Sequence, residues 1–348
     1  MMRRKATSIM VIVLTLPLIM SIPQTGTSDT VVCGGIITSD TNLTVDLTCK
    51  GDGLIIGADN ITLDLKGHRI TGPGAKPGWW PEPSIFSVGV ELSGRVGVIV
   101  RNGYIEDFAT GILLNQSDGN VIEGVDASGH YYGIYLYRSR GNNLSRNEVS
   151  RNIYGIHLQE SNGNRVMGNF VSLQGHSPGG YGIYLSDSNH NEIVDNTVES
   201  NENWGVWISM SSKNEIYHNN IVNNKPNGFD DRGPNFWFNP YLREGNYWSD
   251  YEGTDSDGDG IGDEPYMISG VGGSKDDYPF MNRSGWMEKA APLTPTPPWP
   301  EPMTATAILL TFAVGAVIIL YLVKRRVRRG HALSSPLKKP ESKNPPIK

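Results

Sequence analysis

Cysteine is scarce in this chain: 348 residues contain two, Cys33 and Cys49. No further cysteine or nearby histidine accompanies them, so a structural zinc site of the usual four-ligand kind is excluded. The seven histidines (His68, His130, His157, His176, His190, His218 and His331) are scattered. Five of the ten methionines lie before residue 21 or at position 303, and the rest form no pair motif. A soft-metal site, which needs such groups clustered, is not written here. Between residues 29 and 290 there is also no apolar stripe at helical spacing, which excludes a helical bundle. Positive charge is short in the same stretch. The chain carries −6, with +3 in the first five residues and +8 after residue 323, which leaves −17 between them. So acidic a body does not bind nucleic acid and suits cations.

The two ends read as targeting segments. Residues 1–28 begin with Arg3, Arg4 and Lys5, continue as an apolar run and close on small polar residues, the pattern of a signal peptide. Residues 303–323 carry no charge and are long enough to span a bilayer. Lys324, Arg325, Arg326, Arg328 and Arg329 follow at once and place the tail, 324–348, in the cytoplasm. Residues 286–302, rich in Pro and Thr, make an extended linker. The expected localisation is the cell membrane, single-pass, with the body outside. In that oxidising setting Cys33 and Cys49 are expected to form a disulfide.

What the body does have is a repeat. Glycines open a Gly-Ile/Val-x-Leu/Ile pattern at Gly89, Gly111, Gly133, Gly155, Gly182 and Gly205, mostly 22 residues apart. Six residues after the glycine stand Ser117, Ser139, Ser161, Ser188 and Ser211. Nine after it stand Asn120, Asn142, Asn164, Asn191 and Asn214. Fourteen after it, Asn147, Asn169, Asn196 and Asn219 follow Val125. Apolar residues alternate between them. Short period-two strands broken by Gly, Asn and Ser at a fixed interval are the mark of a solenoid. The fold class is therefore all-β: a single-stranded right-handed parallel β-helix of about eight or nine coils over residues 29–244. Like residues then stack about 4.8 Å apart, and the Asn and Ser columns read as structural ladders.

Two positions after each glycine the side chain should point out, because its apolar neighbours point in. That column reads Glu91, Leu113, Tyr135, His157, Tyr184 and Trp207, with Asp230 as its continuation. Its rings, walled by Trp79 and Trp80 from a loop insertion, form a candidate carbohydrate platform. The glycines are expected to face out beside the rings, and the residues before them (Tyr132, Tyr154, Tyr181 and Trp204) to face in. Asp230 and Asp231, near Trp207, are the weak candidates for catalysis.

The coil Gly-Ile-x-Leu … Asn-x-Ile-x-x-Asn-x-Val is similar to the parallel β-helix repeat of NosD-like and carbohydrate-binding/sugar-hydrolase families. Residues 245–251 (Gly-Asn-Tyr-Trp-Ser-Asp-Tyr), 255–263 and 277–279 resemble the end of NosD-like surface proteins. The resemblance spans about residues 31–282. It implies the fold; for function it implies copper delivery in nitrous oxide reductase maturation, which the scattered His and Met residues do not support.

Residues 245–285 read as a C-terminal cap. Asp255, Asp257 and Asp259 alternate before Gly260, with the Ile261 carbonyl and Asp263 completing an oxygen-rich set. This suits a structural Ca²⁺, with a further ligand from Asp250, Asp276 or Asp277. The functional expectation is a cell-surface glycan-binding or adhesion module stabilised by calcium. A polysaccharide-processing enzyme (lyase, hydrolase or epimerase) and a structural envelope protein are the alternatives.

Overall fold

The computed structural model describes residues 31–74, 87–175 and 179–289. The segments expected to be signal peptide, membrane helix and cytoplasmic tail lie outside them, as do Trp79 and Trp80. Among the described residues no helix is long and apolar enough to cross a membrane.

The described chain is an all-β parallel solenoid of the right-handed type with about eight turns. A nine-stranded sheet runs from Gly35–Ile37 to Gly228–Asp230, one strand per coil. A fifteen-stranded sheet wraps the remaining sides. The register follows the repeat. Ile134 pairs with Ile156, Ile156 with Ile183 and Ile183 with Val206, all fully buried. Burial of such Ile and Leu columns is the driving term, at about 25 cal/mol per Å² of apolar surface.

Each coil turns through four single residues with left-handed backbone. They lie 5, 8, 13 and 18 positions after the glycine; in the coil from Gly133 they are Arg138, Gly141, Arg146 and Arg151, with φ between 52° and 61°. A non-glycine residue held there costs about 1–2 kcal/mol. The offset comes from the next residue, which in this coil is a ladder residue at all four corners: Ser139, Asn142, Asn147 and Asn152. Asn142 follows Gly141; its Oδ1 accepts from Asn120 N at 2.8 Å and its Nδ2 donates to Ser117 O at 2.9 Å. Ser139, after Arg138, accepts from Ser117 N at 3.0 Å and donates to Leu114 O at 3.0 Å. The ladders thus satisfy the backbone groups that the corners take out of the sheets.

A fourth ladder is invisible to letter matching. Nineteen residues after the glycine stand His130, Asn152, Gln174, Asn201 and Asn224, all buried. Each accepts a backbone N–H from the coil before; Asn152 Oδ1 takes His130 N at 2.8 Å and Gln174 Oε1 takes Asn152 N at 2.6 Å. His130 does the work of an asparagine: Nδ1 accepts from Phe108 N at 3.0 Å and Nε2 donates to Ile105 O at 3.0 Å. Burial holds its pKa down at about 4 against an ordinary 6.5. The unfolded chain binds the proton first as pH falls. The stability this residue adds is therefore complete above pH 6.5 and is lost as pH drops towards 4. His130→Asn is expected to remove that component. The difference in unfolding free energy between variant and parent should change by about 3 kcal/mol between pH 7 and pH 4. Denaturant titrations at both pH values check it, and a pH-independent difference would refute it.

Cys33 and Cys49 are disulfide-bonded near the open N-terminal end. The opposite end is closed by buried Trp237 and Trp248 and by residues up to the short helix Gly285–Lys289.

Candidate functional site

Tyr135, His157, Tyr184 and Trp207 are successive register partners on the outer face of the nine-stranded sheet. They do not present their faces to solvent. Each ring lies on the next, with centroids 5.0, 4.5 and 4.3 Å apart and planes 16–20° apart. The column before the glycine is outside too, against the inward expectation. Tyr132 stacks on Tyr135 at 4.7 Å and Tyr154 on Tyr181 at 5.0 Å, and Tyr181 lies tilted by 38° against Trp207 at 4.9 Å. The reason is local. Gly133 and Ile134 are consecutive buried residues, so the alternation slips by one. The glycine's open side faces inward, where a Cβ would lie 2.7 Å from Val149 Cγ1 and 2.8 Å from Asn152 Nδ2. The glycines therefore make no room beside the rings. They let the chain run close over a core column and a ladder, so that two ring columns merge outside.

The merged row is half-buried and neutral. Burial pushes the Tyr135 hydroxyl up to about 12 and lowers His157 to about 3. The Nδ1 of His157 and the Nε1 of Trp207 are buried without a hydrogen-bond partner in the structure. What the row offers outward is ring edges beside a polar column of register partners, Asn115, Tyr137, Gln159, Ser186 and Ser209, of which the two serines are buried. Tyr135 donates to Gln159 Oε1 at 2.6 Å, tying the two columns together.

Asp230 does not continue the outward column. Gly228 pairs with Val206, one place beyond Gly205, so Phe229 faces Trp207 and Asp230 turns into the core. Its carboxylate accepts from Ser274 Oγ at 2.7 Å, Asn235 Nδ2 at 3.1 Å, Trp237 Nε1 at 3.2 Å and Arg232 N at 3.2 Å. Asp231 accepts from Ser209 Oγ at 2.6 Å and Met210 N at 2.8 Å. Asp230 ties the cap to the last coil through Ser274, and Asp231 ties that coil to the one before it.

In the cap, Asp255, Asp257 and Asp259 offer carboxylate oxygens within 4.8 Å of one another. Asp263 stands apart from that group; its carboxylate accepts from Ser256 N at 2.8 Å, which with the Ser256 side chain holds its pKa below the usual range. Ile261 bridges to Phe280. The expected extra ligands are engaged elsewhere. Asp250 accepts from Asn227 and Tyr266, and Asp277 pairs with Lys275 at 2.7 Å. Asp276 is fully buried on Trp248 Nε1, Asn246 N and Tyr278 N, with burial pushing its carboxyl up to about 7.

Residues 85–253 match the family described as periplasmic copper-binding protein (NosD). No curated protein matches the chain significantly. Among solved structures, the chain is similar to the Dettilon tailspike protein at 15% identity over 58% of this chain and 44% of that one, with a TM-score of 0.41. It is similar to the periplasmic alginate epimerase AlgG at 19% identity over 55% and 50%, TM-score 0.38. A third is DFA-IIIase from Arthrobacter chlorophenolicus, at 16% over 60% and 53%, TM-score 0.44. The chain spans about half the length of these structures. Copper does not fit the described residues. Their one close group of metal-ligating side chains is the three-aspartate cluster, a hard-oxygen set. His130 and His157 are buried among ladders and rings, His218 sits between Glu244 and Asp195, and both cysteines are oxidised. The resemblance in the coils nevertheless holds at the level of the repeat: residues 85–253 are similar to the NosD family, and the described chain is a parallel β-helix.

Proposed function

We propose that this protein binds a linear glycan on the outer face of its nine-stranded sheet. The observation that carries the reading is the pairing of an unbroken aromatic column with an unbroken polar column, repeated once per coil from Tyr135 to Trp207. A chain of sugars laid along the solenoid axis meets a ring and a polar side chain at each of these coils, of types that change from coil to coil. Weak contacts of this kind add up when they share one rigid support. With the ring faces already stacked, contact is through ring edges and the part-exposed Tyr137 and Gln159 side chains. We further propose that the Asp255, Asp257 and Asp259 loop holds a structural Ca²⁺, and that residues 303–323 anchor the protein in the membrane with its body outside.

The test uses the full-length protein on a glycan array, with and without Ca²⁺. Trp207→Ala and Gln159→Ala are expected to weaken binding at least tenfold, while Leu113→Ala, at the foot of the row, changes it little. Chelation is expected to lower the melting temperature by several degrees, restored by Ca²⁺. An array with no bound glycan would sink the glycan reading, and a melting curve indifferent to chelator the calcium one.

A further inference from the structure

Five Asn-x-Ser/Thr triplets stand in the sequence, at Asn42, Asn60, Asn115, Asn143 and Asn282. Such a triplet is the acceptor signal for an N-linked glycan, and it serves where the asparagine and the hydroxyl residue after it lie at the surface. The fold divides the five. Three close on serines that the coils or the cap hold. Ser117 is fully buried, its Oγ donating to Leu92 O at 3.0 Å, and Ser145 is buried too. The Oδ1 atoms of the matching Asn115 and Asn143 are buried with them. Ser284 Oγ accepts from Asn220 Nδ2 at 3.0 Å, and Ser284 N donates to Asn220 Oδ1 at 2.8 Å. The other two triplets close on threonines. Asn42, Thr44 and Asn60 are exposed, and Thr62 is half-buried.

Both accessible triplets lie at one place, the open N-terminal end. Among the described residues, strands Gly35–Ile37, Thr41–Asn42 and Leu47–Thr48 pair on one side only, with Leu54–Ile56, Thr62–Asp64 and Arg69–Thr71. Asn42 is in one of these edge strands. Asn60 sits in the coil behind, at a left-handed corner with φ 56°, two residues before the strand that Asn42 pairs with. Val32, Ile36 and Val45 are 57, 65 and 56% exposed at this end. The Cys33–Cys49 disulfide pins the first coil and leaves those side chains in the open. An unpaired edge beside exposed apolar side chains is a template for another chain, and proteins that stay apart cover it. The opposite end is closed by Trp237 and Trp248.

We propose that Asn42 and Asn60 carry N-linked glycans, and that these shield the open end from a second copy of the chain. In the transfer, Nδ2 of each asparagine bonds to the anomeric carbon of an oligosaccharide carried on a lipid phosphate. The bond from that carbon to the phosphate oxygen breaks, the lipid phosphate leaves with the electron pair, and Nδ2 gives up one proton. Two bulky hydrophilic chains then stand at the edge, one rooted in an edge strand and one in the coil behind it. A second copy cannot lay its strands along that edge without displacing them. The inference rests on the body lying outside the membrane. It is independent of the glycan-binding row, which begins only at Tyr135.

The full-length protein is isolated from the membranes of the cells that make it, and its peptides are weighed by mass spectrometry before and after deglycosylation. One glycan is expected on Asn42 and one on Asn60, with none on Asn115, Asn143 or Asn282. Thr44→Ala and Thr62→Ala keep both asparagines, and each is expected to remove one glycan mass. The double variant is expected to associate as its concentration rises, while the sedimentation of the parent does not change. Protease digestion on intact cells separates the ways this can fail. An unmodified body that is digested there overturns the glycans alone. An unmodified body that is shielded overturns them together with the outside placement. A glycan on one of the three held triplets overturns the sorting by the fold, and a double variant that sediments like the parent overturns the shield.

Discussion

Asn169→Ala is expected to lower the unfolding free energy by about 4 kcal/mol, from one side chain that touches neither ligand nor solvent. Its Oδ1 accepts from Asn147 N and Asn147 Nδ2, each at 2.9 Å, and its Nδ2 donates to Leu144 O and Asn196 Oδ1, each at 2.9 Å. The truncation takes from Asn147 N–H and Leu144 C=O the side-chain partners they hold in the core and removes two side-chain bonds of the ladder as well. Each orphaned group costs about 1–3 kcal/mol, more than the net worth of the bond it lost. For a body of this size that is about 10 °C in melting temperature. The neighbouring Phe170→Ala, whose ring is on the outside, should cost a fraction of that. Chemical denaturation of both variants decides the matter. If Asn169→Ala loses under 1 kcal/mol, the ladders are not what holds the corners.

The same ladder shows how much of this fold is legible in the chain and where legibility ends. A column of one letter at one offset can be read directly, which is why Asn120 to Asn214 and Ser117 to Ser211 announce the solenoid. The column His130, Asn152, Gln174, Asn201, Asn224 performs the same chemistry with three residue types. What it shares is an acceptor and a donor at the right reach, and a search by identity passes over it. The left-handed corners are harder still. The position before the Asn147 column is filled by Asn102, Gly124, Arg146, Gly168, Asp195 and His218, and no propensity unites these. After Arg146, Gly168, Asp195 and His218 the next residue is the ladder asparagine that holds the corner, whereas Asn102 and Gly124 adopt the same backbone before Gly103 and Val125.

The candidate sites were read less completely, for reasons of register. Alternation placed Tyr135, His157, Tyr184 and Trp207 outside, and they are outside. It could not foresee the slip at each glycine that brings Tyr132, Tyr154 and Tyr181 onto the same face, so the stacked faces looked available. One further slip, Gly228 against Val206, turns Asp230 from the surface into the core. A one-residue change of register reverses every side chain it reaches.

Gly155→Ala should cost at least about 3 kcal/mol, and its effect should reach the aromatic row. A Cβ on Gly155 would stand 2.5 Å from the Gly182 carbonyl oxygen, 2.9 Å from Val171 Cγ1 and 3.1 Å from Gln174 Nε2. The first is backbone of the next coil and cannot rotate away, so the coils must part locally. Overpacking a well-filled core costs about 1–3 kcal/mol on its own. Here it also strains the Ile156–Ile183 pairing, the Tyr154–Tyr181 contact at 5.0 Å and the His157–Tyr184 contact at 4.5 Å. Gly163→Ala is the matched comparison. Gly163 has φ +65° and open space around it, so its variant bears only the left-handed backbone penalty of about 1–2 kcal/mol. Near-UV circular dichroism with thermal melting separates the two. Gly155→Ala should lose both stability and aromatic signal, and Gly163→Ala a little stability alone. Equal losses, with the aromatic signal intact in both, would mean that the glycine column does not set the coil spacing. The stacked rings would then owe their geometry to their own attraction, about 0.5–1.5 kcal/mol per pair, and not to the close approach of the glycines beneath them.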